Sequence, residues 1–253
     1  VLFTDIRDFT SLSEQMTPEE NFRFVSSYNE RMGPIIRNNN GFINQYLGDA
    51  IMALFPESAE KSLAAAIEMQ QNIHAFNAIQ KTNNLPIIKM GIGMHTGPLI
   101  MGITGDKDRL DATTISDTVN TASRIESLAK YYKVSILLSE ITLHQIQHPE
   151  NFHLRYLGKV QVKGKQSSIG IHECFSSDSE EQIQKKEKTF SIFNEGIHHY
   201  LNKSFSNAVK CFESVTALNL EDHTAEFFLD NSIRYLQKGV PENWSGAVEM
   251  VNK

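Results

Sequence analysis

GFINQYLGDAIMALFP, residues 41 to 56, is the stretch on which the reading of this chain turns. Two short apolar runs, 42–46 and 50–55, flank Leu47, Gly48 and Asp49, a pattern that predicts a β-hairpin with a tight turn. Glycine supplies the backbone freedom the turn needs. An acid at the tip of an apolar hairpin is chemically unusual, although Asp is also a frequent turn residue in its own right. At the start of the chain, VLFTDIRDFT sets a second acid, Asp5, in a strand-like apolar run. Carried on neighbouring strands, Asp5 and Asp49 could hold two Mg²⁺ ions, because hard cations take carboxylate oxygens and keep positions for substrate phosphates.

Three further blocks follow in order: GIGMHTGPLIMG (91–102), TTISDTVNTASRIESLA (113–129) and KVQVKGK (159–165). Together with FTDIRDFTSLSE (3–14) and FINQYLGDAIMALF (42–55), they resemble the catalytic domain of class III nucleotidyl cyclases, bacterial type, over residues 1–175. The resemblance implies an adenylate cyclase, a phosphorus–oxygen lyase of signal transduction. Such an enzyme converts ATP to 3′,5′-cyclic AMP and pyrophosphate with two Mg²⁺ or Mn²⁺ ions per site. It implies Asp5, Asp49 and the Ile6 carbonyl as metal ligands, Arg124 as the transition-state arginine and Asn120 as the residue that positions the ribose. Lys163 and Arg109 match phosphate contacts, and Gln45 and Thr113 stand where the base is read. No side chain is an obvious general base. The family's sites form between the subunits of a head-to-tail homodimer, the acids from one subunit and Thr113, Asn120, Arg124 and Lys163 from the other.

The chain departs from the family at Gln45, where bacterial relatives usually carry Lys, and more mildly at Ser116, where Gly is common. Lysine only donates, whereas the Gln amide both donates and accepts and so suits adenine or, rotated, guanine. The acid typical of guanylate cyclases is absent there too, so adenine leads on Thr113 and overall likeness. A guanylate or mixed-specificity cyclase is the alternative. A weakly active, cyclase-like nucleotide-binding dimerisation module is another, though a pure binding module has no need of Arg124.

The bulk properties narrow the field. The 253 residues suffice for one large domain and a smaller one, with 40% hydrophobic residues. A net charge of −6 without a basic cluster argues against nucleic-acid binding. Two cysteines make no disulfide framework, which points to a reducing, cytoplasmic setting for the catalytic region. No apolar run approaches the roughly 20 residues of a membrane helix. Because the chain opens at Val1, inside a strand and without Met, it is expected to be a fragment. An upstream sensor or membrane attachment would then lie outside it.

The expected architecture is α+β: a ferredoxin-like βαββαβ core with additional strands, followed by a small α-helical C-terminal region. Residues 1–6 read as a buried strand. A helix follows from Pro18, with Thr17 as N-cap and Glu20 completing a capping box. A second helix spans 59–80. Residues 87–105 read as two strands turning at Thr96-Gly97-Pro98, their glycines allowing close backbone approach rather than forming a phosphate loop. A helix capped by Ser116 or Asp117 runs to about residue 130 and stacks Asn120 on Arg124, four residues apart. Strand 134–138, helix 140–147 and strands near 152–162 and 169–175 complete the domain. His95 reads as structural, and His144 and His148 as a solvated helix end rather than a metal pair. Residues 176–188 read as a polar linker or solvated helical spacer, and 189–253 as helical. In that last segment Gly196, Ala208 and Phe212 resemble one tetratricopeptide-like repeat.

Overall fold

The computed structural model describes residues 1–83, 85–108, 110–161, 168–242 and 244–249. In chain order the elements are β1 (Leu2–Ile6), α1 (Phe9–Ser13), α2 (Pro18–Asn38), β2 (Phe42–Leu47), β3 (Ala50–Leu54) and α3 (Ala59–Thr82). Next come β4 (Met90–Met94), β5 (Ile100–Gly105), β6 (Leu110–Ile115), α4 (Asp117–Tyr131), β7 (Ile136–Ser139) and α5 (Glu140–Leu143). The chain continues through β8 (Leu154–Gln161), β9 (Ser168–Cys174), α6 (Glu180–Leu201), α7 (Phe205–Leu218), α8 (His223–Lys238) and β10 (Val248–Glu249).

Among the described residues one eight-stranded sheet runs β10-β8-β9-β7-β4-β1-β3-β2. Its β4-β1-β3-β2 half is the ferredoxin-like order, antiparallel at every pairing. Strand alternation then assigns the faces. Leu2, Thr4 and Ile6 of β1 turn toward α2 and α3: the two apolar residues join Tyr28, Met32, Ile36, Leu63 and Met69, and Thr4 bonds the Tyr28 hydroxyl. Phe3 turns the other way and packs with Met52, Leu54 and Ala122 of α4. Covered on both faces, these strands read as almost continuous apolar runs, and Asp5 shares the α4 side with Phe3.

The caps follow the sequence closely. Thr17 Oγ1 accepts from the Glu20 amide at 3.2 Å and Glu20 Oε2 from the Thr17 amide at 2.8 Å, a reciprocal box contributing about 1 kcal/mol. Ser116 is the N-cap of α4. In the hairpin, Leu47 pairs with Ala50, so the turn tightens to Gly48 and Asp49, with Gly48 at φ +69°.

Four expectations need correction. β4 and β5 do not pair with each other: the loop between them is tied to α4, where Thr118 Oγ1 donates to the Pro98 carbonyl at 2.7 Å. β5 then pairs with β6, which the sequence reading did not contain, in a separate two-stranded ribbon. The close approach of Gly93 is likewise to a helix: a Cβ there would lie 2.1 Å from the Glu126 amide nitrogen. The helix at 140 is shorter, Glu140–Leu143, and α1 is additional.

The fourth concerns residues 176–188. The helical alternative agrees with the start of α6, capped by Ser179, but the segment is not solvated throughout: Lys186 is buried between Glu173 at 2.8 Å and Asp178 at 2.7 Å. Phe193, Ile197, Phe212 and Phe228 of the three last helices join Leu157 and Ile171 of the sheet, Ile125 of α4 and Tyr132 at its C-cap in one core. No helix among the described residues is long and apolar enough to cross a membrane.

Candidate active site

β1 ends at Ile6, and the hairpin turn brings β3 antiparallel beside it, with Thr4 opposite Ile51. Continuing that register by two positions carries Asp49 level with Ile6. Asp5, Ile6 and Asp49 accordingly line one cavity of about 420 Å³, floored by α1 residues Phe9 to Ser11 and walled by Glu126, Ser127 and Lys130 of α4. Both acids are half-buried. Their charge is felt beneath the sheet: burial first, then Asp49 and Asp5, push the Tyr28 hydroxyl far above its ordinary value. Two carboxylates beside the chain at Ile6 bring hard oxygen donors to one cavity, a set that fits Mg²⁺ or Mn²⁺. A separate cavity of about 450 Å³ near Phe42, Leu54, Thr96 and Met101 contains none of the candidate residues.

Sequence reasoning missed the other charged groups of this wall. Arg7 Nη1 donates to Glu126 Oε1 at 2.7 Å in a pair 13% and 3% exposed, fastening β1 to α4. Room for it comes from Gly91, where a Cβ would stand 1.7 Å from Arg7 Nη2. Lys130 Nζ donates to Asp8 Oδ1 at 2.6 Å and holds that carboxyl below its ordinary value, but both groups are exposed and the pair adds little stability. Nothing in the spacing of Arg7 and Glu126, 119 positions apart, signals their meeting.

Asn120 and Arg124 do not line this cavity. Counted at 100° per residue around α4, they lie about 80° to 160° from Glu126 and Lys130. Asn120 is exposed and Arg124 half-buried. Gln45, exposed on β2 beside a register shift, and Thr113, half-buried on β6, sit on strands joined by Thr114 Oγ1 donating to Asn44 Oδ1 at 2.7 Å. One chain therefore does not bring Asn120 and Arg124 into the lining of the cavity that holds its acids. Arg109 and Lys163 lie outside the described residues.

His95 is buried, its Nδ1 2.8 Å from Ser139 Oγ, which suits the structural reading. His144 and His148 are exposed; His144 is the C-cap of α5, whereas His148 lies beyond that helix and faces Glu150 at 3.1 Å.

Residues 1–192 match the family model described as the adenylate and guanylate cyclase catalytic domain. An adenylate cyclase of Anabaena cylindrica is 46% identical over 179 residues, which cover 68% of this chain and 36% of the relative. The chain thus spans about a third of that curated protein's length. Among solved structures, the adenylyl cyclase CyaB from P. aeruginosa superposes with a TM-score of 0.60 at 26% identity, covering 68% of this chain and 91% of that one. The guanylyl cyclase Cya2 does so with a TM-score of 0.60 at 29% identity, covering 71% and 92%.

Proposed function

The chain belongs to the family of adenylate and guanylate cyclase catalytic domains, and from that premise we propose that it converts ATP to 3′,5′-cyclic AMP and pyrophosphate. The observation that carries the reading is the convergence of Asp5, Ile6 and Asp49 on one cavity, together with 46% identity to an adenylate cyclase. Asp5, Asp49 and the Ile6 carbonyl would hold two Mg²⁺ or Mn²⁺ ions. Bound there, the ions would lower the pKa of the ribose 3′-hydroxyl and balance charge on the departing phosphates. Asn120 orients the ribose, Arg124 meets charge developing at the α-phosphoryl, and Lys163 and Arg109 hold phosphate oxygens. Gln45 and Thr113 read the base.

The site is proposed to be shared between two copies of the chain. Supporting this, Asn120 and Arg124 stand away from the acid-lined cavity of their own chain. Ile100 and Ile115, cross-strand partners on the β5–β6 ribbon, are 76% and 69% exposed and offer an apolar surface suited to a partner. A cytoplasmic setting is part of the proposal, supported by Cys174 and Cys211 both being thiols. The pairing of α6 with α7 is proposed as tetratricopeptide-like, since Gly196 admits Phe212 where such a repeat packs its two helices.

A guanylate cyclase is the second reading, favoured by one residue, Gln45, whose amide suits either base. Incubation with ATP and GTP separately, with Mg²⁺ or Mn²⁺ and chromatographic identification of products, decides between them. Cyclic AMP from ATP is the expected result. Cyclic GMP from GTP alone would establish the second reading, and nucleotide binding without either product would reduce the domain to a nucleotide-binding dimerisation module.

A further inference from the structure

We propose that Glu195, His199 and Cys211 form a binding site for a divalent cation of the zinc class between α6 and α7, remote from the acid-lined cavity. Glu195 and His199 are four residues apart on α6 and so share a face. Cys211 reaches them from α7 because the two helices approach closely at this level. Gly196 makes the approach possible: a Cβ there would lie 2.8 Å from the Phe212 ring and 3.1 Å from Cys211 Cβ.

The ligand atoms of the three side chains all lie within 4.8 Å of one another. A tetrahedral shell with bonds of about 2.0–2.3 Å has ligand–ligand edges of about 3.3–3.7 Å. The Glu195–His199 edge, Oε1 to Nε2, is already 3.5 Å. Closing the shell therefore asks the Cys211 thiol to shorten its separations by at most about 1.1–1.5 Å, within reach of a rotamer adjustment.

The donor set selects the metal. One imidazole nitrogen, one thiol sulfur and one carboxylate oxygen suit Zn²⁺ and its neighbours, whereas Mg²⁺ prefers the all-oxygen set at Asp5 and Asp49. Electrostatics favour a cation as well. Burial and then the Glu195 charge hold the Cys211 thiol above its ordinary value. A divalent cation reverses that balance, sulfur binding the metal as thiolate while its proton passes to solvent. Glu195 is 64% and His199 25% exposed in their side chains, so an ion can enter and solvent can occupy the fourth position. Once bound, the ion would staple α6 to α7, whose inner faces share their core with the catalytic sheet.

Cobalt(II) serves as the probe, because a Co²⁺–thiolate bond gives a near-ultraviolet charge-transfer band that oxygen ligands do not. The full chain, kept in excess Mg²⁺ to occupy the oxygen site, is titrated with Co²⁺ and then with Zn²⁺. The band should saturate at one equivalent of Co²⁺, vanish on adding Zn²⁺ and be absent from Cys211→Ser. In His199→Gln the Co²⁺ affinity should fall by about tenfold or more. Far-UV circular dichroism and cyclase activity of both variants, expected to match wild type, separate ligand loss from unfolding. Zn²⁺ should also raise the Tm of wild type, and raise that of His199→Gln less at the same concentration. Absence of the band in wild type, or its survival in Cys211→Ser, overturns the site. In that case Glu195 and His199 are an ordinary helical ion pair beside a thiol.

Discussion

Arg155 on β8 and Asp222 at the N-cap of α8 meet in a bidentate pair, Nη1 to Oδ2 at 2.7 Å and Nη2 to Oδ1 at 2.8 Å, with side chains 1% and 0% exposed. The Arg155 Nε–H donates to Glu173 on β9, and Lys186 of α6 completes the network on the same carboxylate. The guanidinium also lies 4.1 Å from the centre of the Phe193 ring. Four elements are thereby locked around one cation, and the last helices become part of the catalytic sheet's core.

Asp222→Asn keeps the cap, since Asn caps as well as Asp, but strips the charge from a buried cation. Removing one partner of such a pair costs about 3–5 kcal/mol. A drop of that size in urea-derived stability, with the m-value unchanged, is the expected outcome. Burial alone would raise the Asp222 and Glu173 carboxyls, yet the Arg155 charge overrides it and leaves both below their ordinary 3.8 and 4.5. Because the folded pKa values are depressed, this stabilisation is present above about pH 4.5 and lost as pH falls through the folded values. The variant should lose less stability than wild type across that acid window.

His172 carries a second, separate pH dependence. It lies against Tyr156, its Nε2 is buried with no hydrogen-bond partner, and burial lowers its pKa from 6.5 to about 4. The unfolded chain takes up the proton as pH drops below 6.5 while the fold resists until about pH 4, so stability falls across that interval. The slope integrates to about 3 kcal/mol. His172→Gln should flatten it, and thermal melts at pH 7 and pH 5 measure the difference. An equal loss of Tm in both proteins would show that His172 does not stay neutral in the fold.

The proposed sharing of the site predicts complementation. Asp5→Ala and Arg124→Ala should each be nearly inactive yet folded. In a mixed dimer one site carries both defects and the other neither. With free exchange at equal amounts, roughly half of the dimers are mixed and each has one sound site of two, so about a quarter of wild-type activity should return. Native mass spectrometry checks that mixed dimers form. Their presence without rescue would mean that the acids and Arg124 serve a site within one chain.

Gln45→Lys should raise kcat/KM for ATP relative to GTP. A charged donor at this position bonds an adenine ring nitrogen and cannot accept from the guanine N1–H. Such a hydrogen bond is worth about 1.5–3 kcal/mol, or about tenfold and more in selectivity. Initial rates with both nucleotides test it, and an unchanged ratio would mean that residue 45 does not touch the base.

Elements whose signals are local were legible in the chain itself. The Thr17–Glu20 box, the Gly48 turn and the apolar run of β1 act over a few residues, so their consequences follow from local sequence alone. The acids at residues 5 and 49 were legible for a related reason: each interrupts an apolar run, and the antiparallel register of β1 and β3 leaves them little choice but to meet at one end.

Contacts between distant residues were not legible, because nothing in a one-dimensional spacing encodes them. Lys186 sits in a charge run that reads as solvent-facing, yet the fold buries it by bringing up carboxylates from β9 and the turn before α6. Arg7 and Glu126 found each other only because Gly91 and Gly93 let an arginine and a helix backbone lie directly on the strands. The sequence by itself determined the local elements, the ferredoxin-like order and the chemistry available at Asp5 and Asp49. Tertiary structure alone decided which charges are buried, where β5 finds its partner and that the last three helices close on the catalytic sheet. A buried ion pair or a shared core exists only once segments far apart in the chain have excluded water between them.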